Sequence, residues 1–137
     1  DDAIARTSLE EFAARPVANM SGGERQRAWI AMMLAQNASC LLLDEPTSAL
    51  DLAHQASMLS LVESLSHERG LTVVIVLHDI NLAARHCDEI IALNRGRITA
   101  QGKPEEIMQA DRLQSIFGVG MGVFTHPARG EPVSYLL

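Results

Sequence analysis

Residues 40–45, Cys40-Leu41-Leu42-Leu43-Asp44-Glu45, pass without a break from an apolar run to two adjacent carboxylates. A short, continuously apolar run predicts a strand buried on both faces of a sheet. Residues 71–77, LTVVIVL, are rich in β-branched side chains and predict a second such strand, with His78 directly after it. Between the two, Met58, Leu61, Val62 and Leu65 keep the i, i+3, i+4, i+7 spacing of an amphipathic helix over residues 52–69, and Gly70 is placed to end it. Strand, helix, strand predicts a βαβ unit with parallel strands. The residues just past each strand then emerge on one edge of the sheet, about 5 Å apart if the strands are neighbours and about 10 Å with one strand between. Ligands of open α/β sheets bind at that carboxyl edge, so Asp44, Glu45 and His78 are expected to converge by topology.

Working outward, Thr7 or Ser8 is expected to cap a short helix over residues 7–14, stopped by Pro16. Ser21 opens the next helix, whose run at residues 28–35 is apolar around its circumference and so predicted to be buried on most sides. Beyond His78 come a short helix at 81–86, strands at 89–93 and 97–100 joined by the turn Asn94-Arg95-Gly96, and helices at 104–109 and 111–117. Short strands are possible near 122–125 and 133–136. Alternating helix and strand patterns place the chain in the α/β class with a mostly parallel sheet.

Composition narrows the partners. The chain has 137 residues, one domain or part of one, and a formal net charge of −6, which gives no basic field for nucleic acid or anionic lipid. Two cysteines, Cys40 and Cys87, are too few for a disulfide framework and fit a reducing compartment; both read as small buried hydrophobes. No apolar run approaches the ~20 residues of a membrane span, and the acidic start lacks the basic region of a signal peptide. A cytoplasmic location is expected.

Three elements carry chemistry. In Asn19-Met20-Ser21-Gly22-Gly23-Glu24, Ser21 and Glu24 form a capping-box pattern, common in itself. Gly22 and Gly23 in the first helical turn cost roughly 1 kcal/mol each relative to alanine, but they admit a close approach and expose N–H groups at the positive helix end, which suits phosphate. Asp44 and Glu45 read either as solvated charges opening a turn before Pro46, or as a ligand for hydrated magnesium beside a base for water. His78, followed by Asp79, reads alone as a structural residue ahead of an Asp-capped helix.

Together, the order and spacing of SGGE, LLLDEPTSALD and VLHD resemble the ATPase subunit of ABC transporters over nearly the whole chain. The resemblance implies a P-loop NTPase-like layered α/β/α fold, with this chain as its C-terminal part and an incomplete sheet. Residues 19–24 look like the signature motif, with Met20 where leucine is commoner and Glu24 where glutamine is commoner. Residues 41–45 look like Walker B and its adjacent glutamate, Ser48-Ala49-Leu50-Asp51 like the D-loop, and His78 like the switch histidine. In this family two subunits stack head to tail around ATP. Ser21, Gly22, Gly23 and Glu24 would then face the partner subunit's nucleotide. Asp44 would orient Mg2+ through water, Glu45 would act as general base, His78 would contact the γ-phosphate, and Asp51 would cross the dimer interface. The phosphate-gripping pattern Gly-x-x-x-x-Gly-Lys-Ser/Thr occurs nowhere in the chain. The family resemblance therefore makes residues 1–20 the end of the helical subdomain, places the loop before residue 1, and leaves this chain alone inactive.

Finer details, GERQRAWIAM at 23–32, HDINLAAR at 78–85, IFGV at 116–119 and residues 122–137, are similar to iron-siderophore importers of the ferric-hydroxamate branch. That implies a subunit at the cytoplasmic face of the inner membrane, docked on transmembrane permease subunits served by a substrate-binding protein. Importers of vitamin B12, haem or another metal chelate share much of the pattern. A non-transport ABC ATPase is disfavoured by the acidic balance, and a non-catalytic remnant by the presence of Glu45 and His78.

Overall fold

In the computed structural model, which describes residues 1–48 and 50–137, the chain divides into two compact units, residues 1–77 and 78–137. Ala49, part of the stretch resembling the D-loop, lies outside the described residues.

In the first unit, strands β1 (Cys40–Asp44) and β2 (Thr72–Val76) pair in parallel as direct neighbours, with Asp44 opposite Val76. The connecting helix α3 (Leu52–Arg69) ends at Gly70, whose φ of 61° is the left-handed conformation glycine adopts without a Cβ penalty. The expected βαβ unit is therefore present, with its strands adjacent. Helix α2 (Gly22–Ala35) and α3 cover one face of the pair, where Ile30, Leu34, Met58, Val62 and Leu65 pack with Leu41 and Leu43. Register puts Val73 and Ile75 on that same face and Leu42 and Val74 on the other.

That other face is not buried. Leu42 is 74% exposed, and Val74 and Val76 are exposed too, so burial on both faces is corrected to burial on one. Likewise Trp29 is 56% exposed and Met32 is exposed, so α2 buries a single stripe of Ile30, Ala31 and Leu34. Cys40 is exposed and Cys87 half-buried, against the expected burial of both; neither is in a disulfide.

The start of the chain also departs from expectation. Helix α1 spans Asp2–Arg6, and Thr7 ends it rather than beginning another. The Thr7 hydroxyl donates back to the Ala3 and Ile4 carbonyls at 2.9 and 3.1 Å, a local bond that competes with capping a following helix. Ser8 then turns the chain at φ 52°, and only 3-10 turns, Glu10–Phe12 and Val17–Asn19, lead to α2. Arg6 ties α1 to α3 through Glu68 at 2.9 Å, and Arg69 pairs with Asp2.

In the second unit, α4 (Ile80–His86) is followed by the antiparallel hairpin β3 (Ile90–Asn94) and β4 (Arg97–Gly102) that the Asn94-Arg95-Gly96 turn predicted. Helices α5 (Pro104–Ile107) and α6 (Ala110–Phe117) come next, then a second hairpin, β5 (Met121–Thr125) and β6 (Pro132–Leu136). Ala84, Ile90, Ile107, Met108 and Leu113 form the core. Parallel pairing is thus confined to β1 and β2 among the described residues.

Candidate functional site

The helix start at Ser21 is built as its sequence predicts. The Glu24 N–H donates to Ser21 Oγ at 3.3 Å, and the Ser21 N–H donates to Glu24 Oε2 at 2.7 Å. This reciprocal box satisfies two orphan donors and leaves the other first-turn N–H groups pointing off the helix end. The two glycines are not equivalent. A Cβ at Gly22 would meet nothing within 4 Å, whereas a Cβ at Gly23 would lie 3.0 Å from Cδ2 of His54 on α3. Gly23 thus serves close approach from inside the unit, and Gly22 leaves its surface open. Glu24, expected to face nucleotide, spends one carboxylate oxygen on the cap and has Arg15 Nη1 at 3.8 Å from it.

Asp44 closes β1 with its side chain exposed, and Glu45 begins the turn beyond. Glu45 has φ 47°, a left-handed conformation costing a non-glycine residue about 1–2 kcal/mol. The turn is held by its own bonds: the Ser48 N–H and hydroxyl both donate to the Glu45 carbonyl, at 3.2 and 3.0 Å. From α3, the Gln55 amide donates to the carbonyls of Thr47 and Leu50 at 3.1 and 2.9 Å. Sequence reading missed Gln55; its only signal is a long amide on the first turn of a helix that succeeds a tight loop. Strain held by such a frame is typical of functional positions.

Asp51 caps α3, accepting the His54 N–H at 2.9 Å and lying 2.8 Å from His54 Nδ1. These contacts hold the Asp51 carboxyl below the ordinary carboxylate range, the backbone N–H of His54 contributing most. Glu24 is lowered too, foremost by the Ser21 N–H; so are Asp2, through Arg6, and Glu68, through Ser64. A depressed folded pKa adds stability that is present above the unfolded value near 4 and lost as pH falls through the folded one. The urea midpoint of the chain, tracked by circular dichroism, is therefore expected to drop between about pH 5 and about pH 3. A midpoint that does not move would deny these carboxylates a part in stability.

His78 opens the second unit, exposed, directly before Asp79, which caps α4 by accepting the N–H groups of Asn81 and Leu82 at 2.8 and 3.4 Å. His78 and Asp79 line an open groove of about 450 Å³ with Asn81, Phe117, Met121 and Ser134. Asn81 and Ser134 form a clasp there: Ser134 donates its N–H and hydroxyl to Asn81 Oδ1 at 2.7 and 3.0 Å, and Asn81 Nδ2 donates to the Ser134 carbonyl at 3.1 Å. The sequence offered nothing to pair two residues this far apart. Neighbouring parallel strands put Asp44 and the end of β2, two residues before His78, on one edge of the first unit.

Known proteins resemble this chain in sequence and in fold. A family model described as ABC transporter matches residues 1–48. The petrobactin import ATP-binding protein of Bacillus anthracis is 48% identical over 124 residues, covering 90% of this chain and 46% of that protein. The iron(3+)-hydroxamate import ATP-binding protein of Bacillus subtilis is 45% identical over 131 residues, covering 96% and 49%. The chain thus spans about half the length of these relatives. An inward-facing putative metal-chelate type ABC transporter matches 99% of this chain and 55% of its own at 30% identity, TM-score 0.91. A dimeric ATP-binding cassette in a post-hydrolysis state, bound to ADP and phosphate, matches 75% and 44% at 38% identity, TM-score 0.64. Over the half of these proteins that it covers, the chain has the fold of ABC ATP-binding cassettes. Among the described residues no helix is long and apolar enough to cross a membrane.

Proposed function

We propose, from the premise that this chain belongs to the ATP-binding family of ABC transporters, that it is the later part of an ATP-hydrolysing subunit that powers import of a ferric siderophore. The observation that carries the chemistry is the β1 edge, where Asp44 ends a strand paired in parallel with β2 and Glu45 follows in a pinned left-handed turn. Phosphoryl transfer asks a protein mainly to position groups and place charge, and such an edge does both. Magnesium keeps most of its waters and needs only one or two carboxylates, so the exposed Asp44 would suit it as an anchor, through water. When bound, the ion neutralises phosphate charge. Glu45 takes the proton of the attacking water, His78 bonds the γ-phosphate, and Ser21, Gly22 and Gly23 offer the α2 N-terminus to the γ-phosphate of a second ATP on a head-to-tail partner. Asp51 lies toward that partner, and Glu24 supports the site only by holding the cap.

The relatives' names support iron-chelate cargo, and a permease fed by a substrate-binding protein at the inner membrane is the implied setting. Residues 1–20 then end a helical subdomain and residues 21–137 carry the later motifs. The 137 residues contain no phosphate-gripping loop, so catalysis belongs to a subunit that also has one. The test compares magnesium-dependent ATPase activity of that subunit with that of these 137 residues, and measures ferric-hydroxamate uptake after its gene is deleted. Activity in the subunit alone and loss of uptake are expected. Turnover by the 137 residues would refute the need for the loop, and loss of cobalamin uptake with hydroxamate uptake intact would move the cargo to vitamin B12.

A further inference from the structure

The first turn of α3 faces two ways. Gln55 reaches the turn that begins at Glu45, while His54 reaches α2. One edge of the His54 ring, Nδ1, lies 2.8 Å from Asp51 Oδ1. An ionised carboxylate only accepts, so Nδ1 carries the proton and donates. The ring carbon Cδ2 lies against Gly23 so closely that a Cβ there would sit at 3.0 Å. The gap beside the ring, lined by Gln26, Arg27, Ser57 and Met58, is about 10 Å³, no more than one water needs. A ring hydrogen-bonded to Asp51 on one side and packed close over Gly23 on the other couples the positions of its two neighbours.

We infer that His54 is a positioning residue that locks Asp51 and the Ser21-Gly22-Gly23 helix start into one frame, so that both meet a partner subunit in register. The inference rests on the function proposed above and adds a residue to it. His54 touches no nucleotide; it acts through Asp51 and Gly23. Its side chain is 53% exposed, so replacing it opens no core cavity.

The test uses the full-length subunit carrying Glu45→Gln, in which ATP-bound dimers are expected to accumulate. Light scattering gives the ATP concentration for half-maximal dimer, and nucleotide fluorescence gives ATP affinity of the monomer. His54→Ala, and His54→Phe, which keeps the ring without the donor, are expected to raise the dimer midpoint about threefold to tenfold, as loss of a partly exposed charged hydrogen bond implies. Monomer affinity stays unchanged, and His54→Asn, whose amide can donate to Asp51, recovers part of the loss. Gly23→Ala costs less in the His54→Ala background than alone, because the clash has gone. Midpoints equal to the parent's, additive losses at Gly23 and His54, or an equal fall in monomer affinity overturn the inference. No ATP-driven dimer even in the parent overturns instead the proposed function on which it rests.

Discussion

Replacing Glu45 by Gln in the full-length subunit is expected to leave ATP binding intact and to cut turnover about 10²–10⁴-fold, the usual worth of a positioned general base. The substitution removes the proton acceptor while keeping size and shape. The bonds that pin the turn use backbone carbonyls, those from Ser48 going to Glu45 and the Gln55 clamps to Thr47 and Leu50, and the substitution leaves all of them in place. A lower rate with ATP binding intact therefore reports chemistry and not a lost loop. Single-turnover measurement separates the two further, because unhydrolysed ATP is expected to remain bound in a stable dimer. Undiminished turnover would sink the base assignment and return Asp44-Glu45 to two solvated charges before Pro46.

Legibility in the sequence was local. Ser21 with Glu24, Asp79 before α4 and Gly70 after α3 each state a helix boundary within four residues, and each formed as written. The βαβ unit came from two apolar runs around one periodic helix, and with it the common edge for Asp44 and the end of β2. Thr7 misled because a hydroxyl can close a helix behind it as readily as open one ahead. Burial of Leu42, Val74 and Trp29 was overestimated for a different reason. Apolar composition states what a side chain favours, and only the packing of α2 and α3 onto one face states what it obtains. Contacts between distant segments left no trace in any single stretch. The Asn81–Ser134 clasp, the Gln55 clamp and the His54 ring on Gly23 depend on three-dimensional proximity of ordinary polar residues. The same limit applies to the candidate site: its charged members are proposed from residue type, and the bonds that surround them are visible only in three dimensions.

His78→Ala is expected to lower hydrolysis by about 10²–10³-fold, the range for losing one donor to charge that develops in a transition state. The residue is exposed and Asp79 keeps its own bonds to Asn81 and Leu82, so the α4 cap is expected to survive, and the urea midpoint checks that the fold does. A normal rate would return His78 to a structural role ahead of α4. The more discriminating result is the double variant. If Glu45 and His78 serve one phosphoryl transfer, their effects are not independent, and E45Q with H78A is expected to turn over no more slowly than E45Q alone. Losses that multiply would mean that the two residues contribute independently of each other. The shared edge of β1 and β2 would then organise the strands without organising the chemistry.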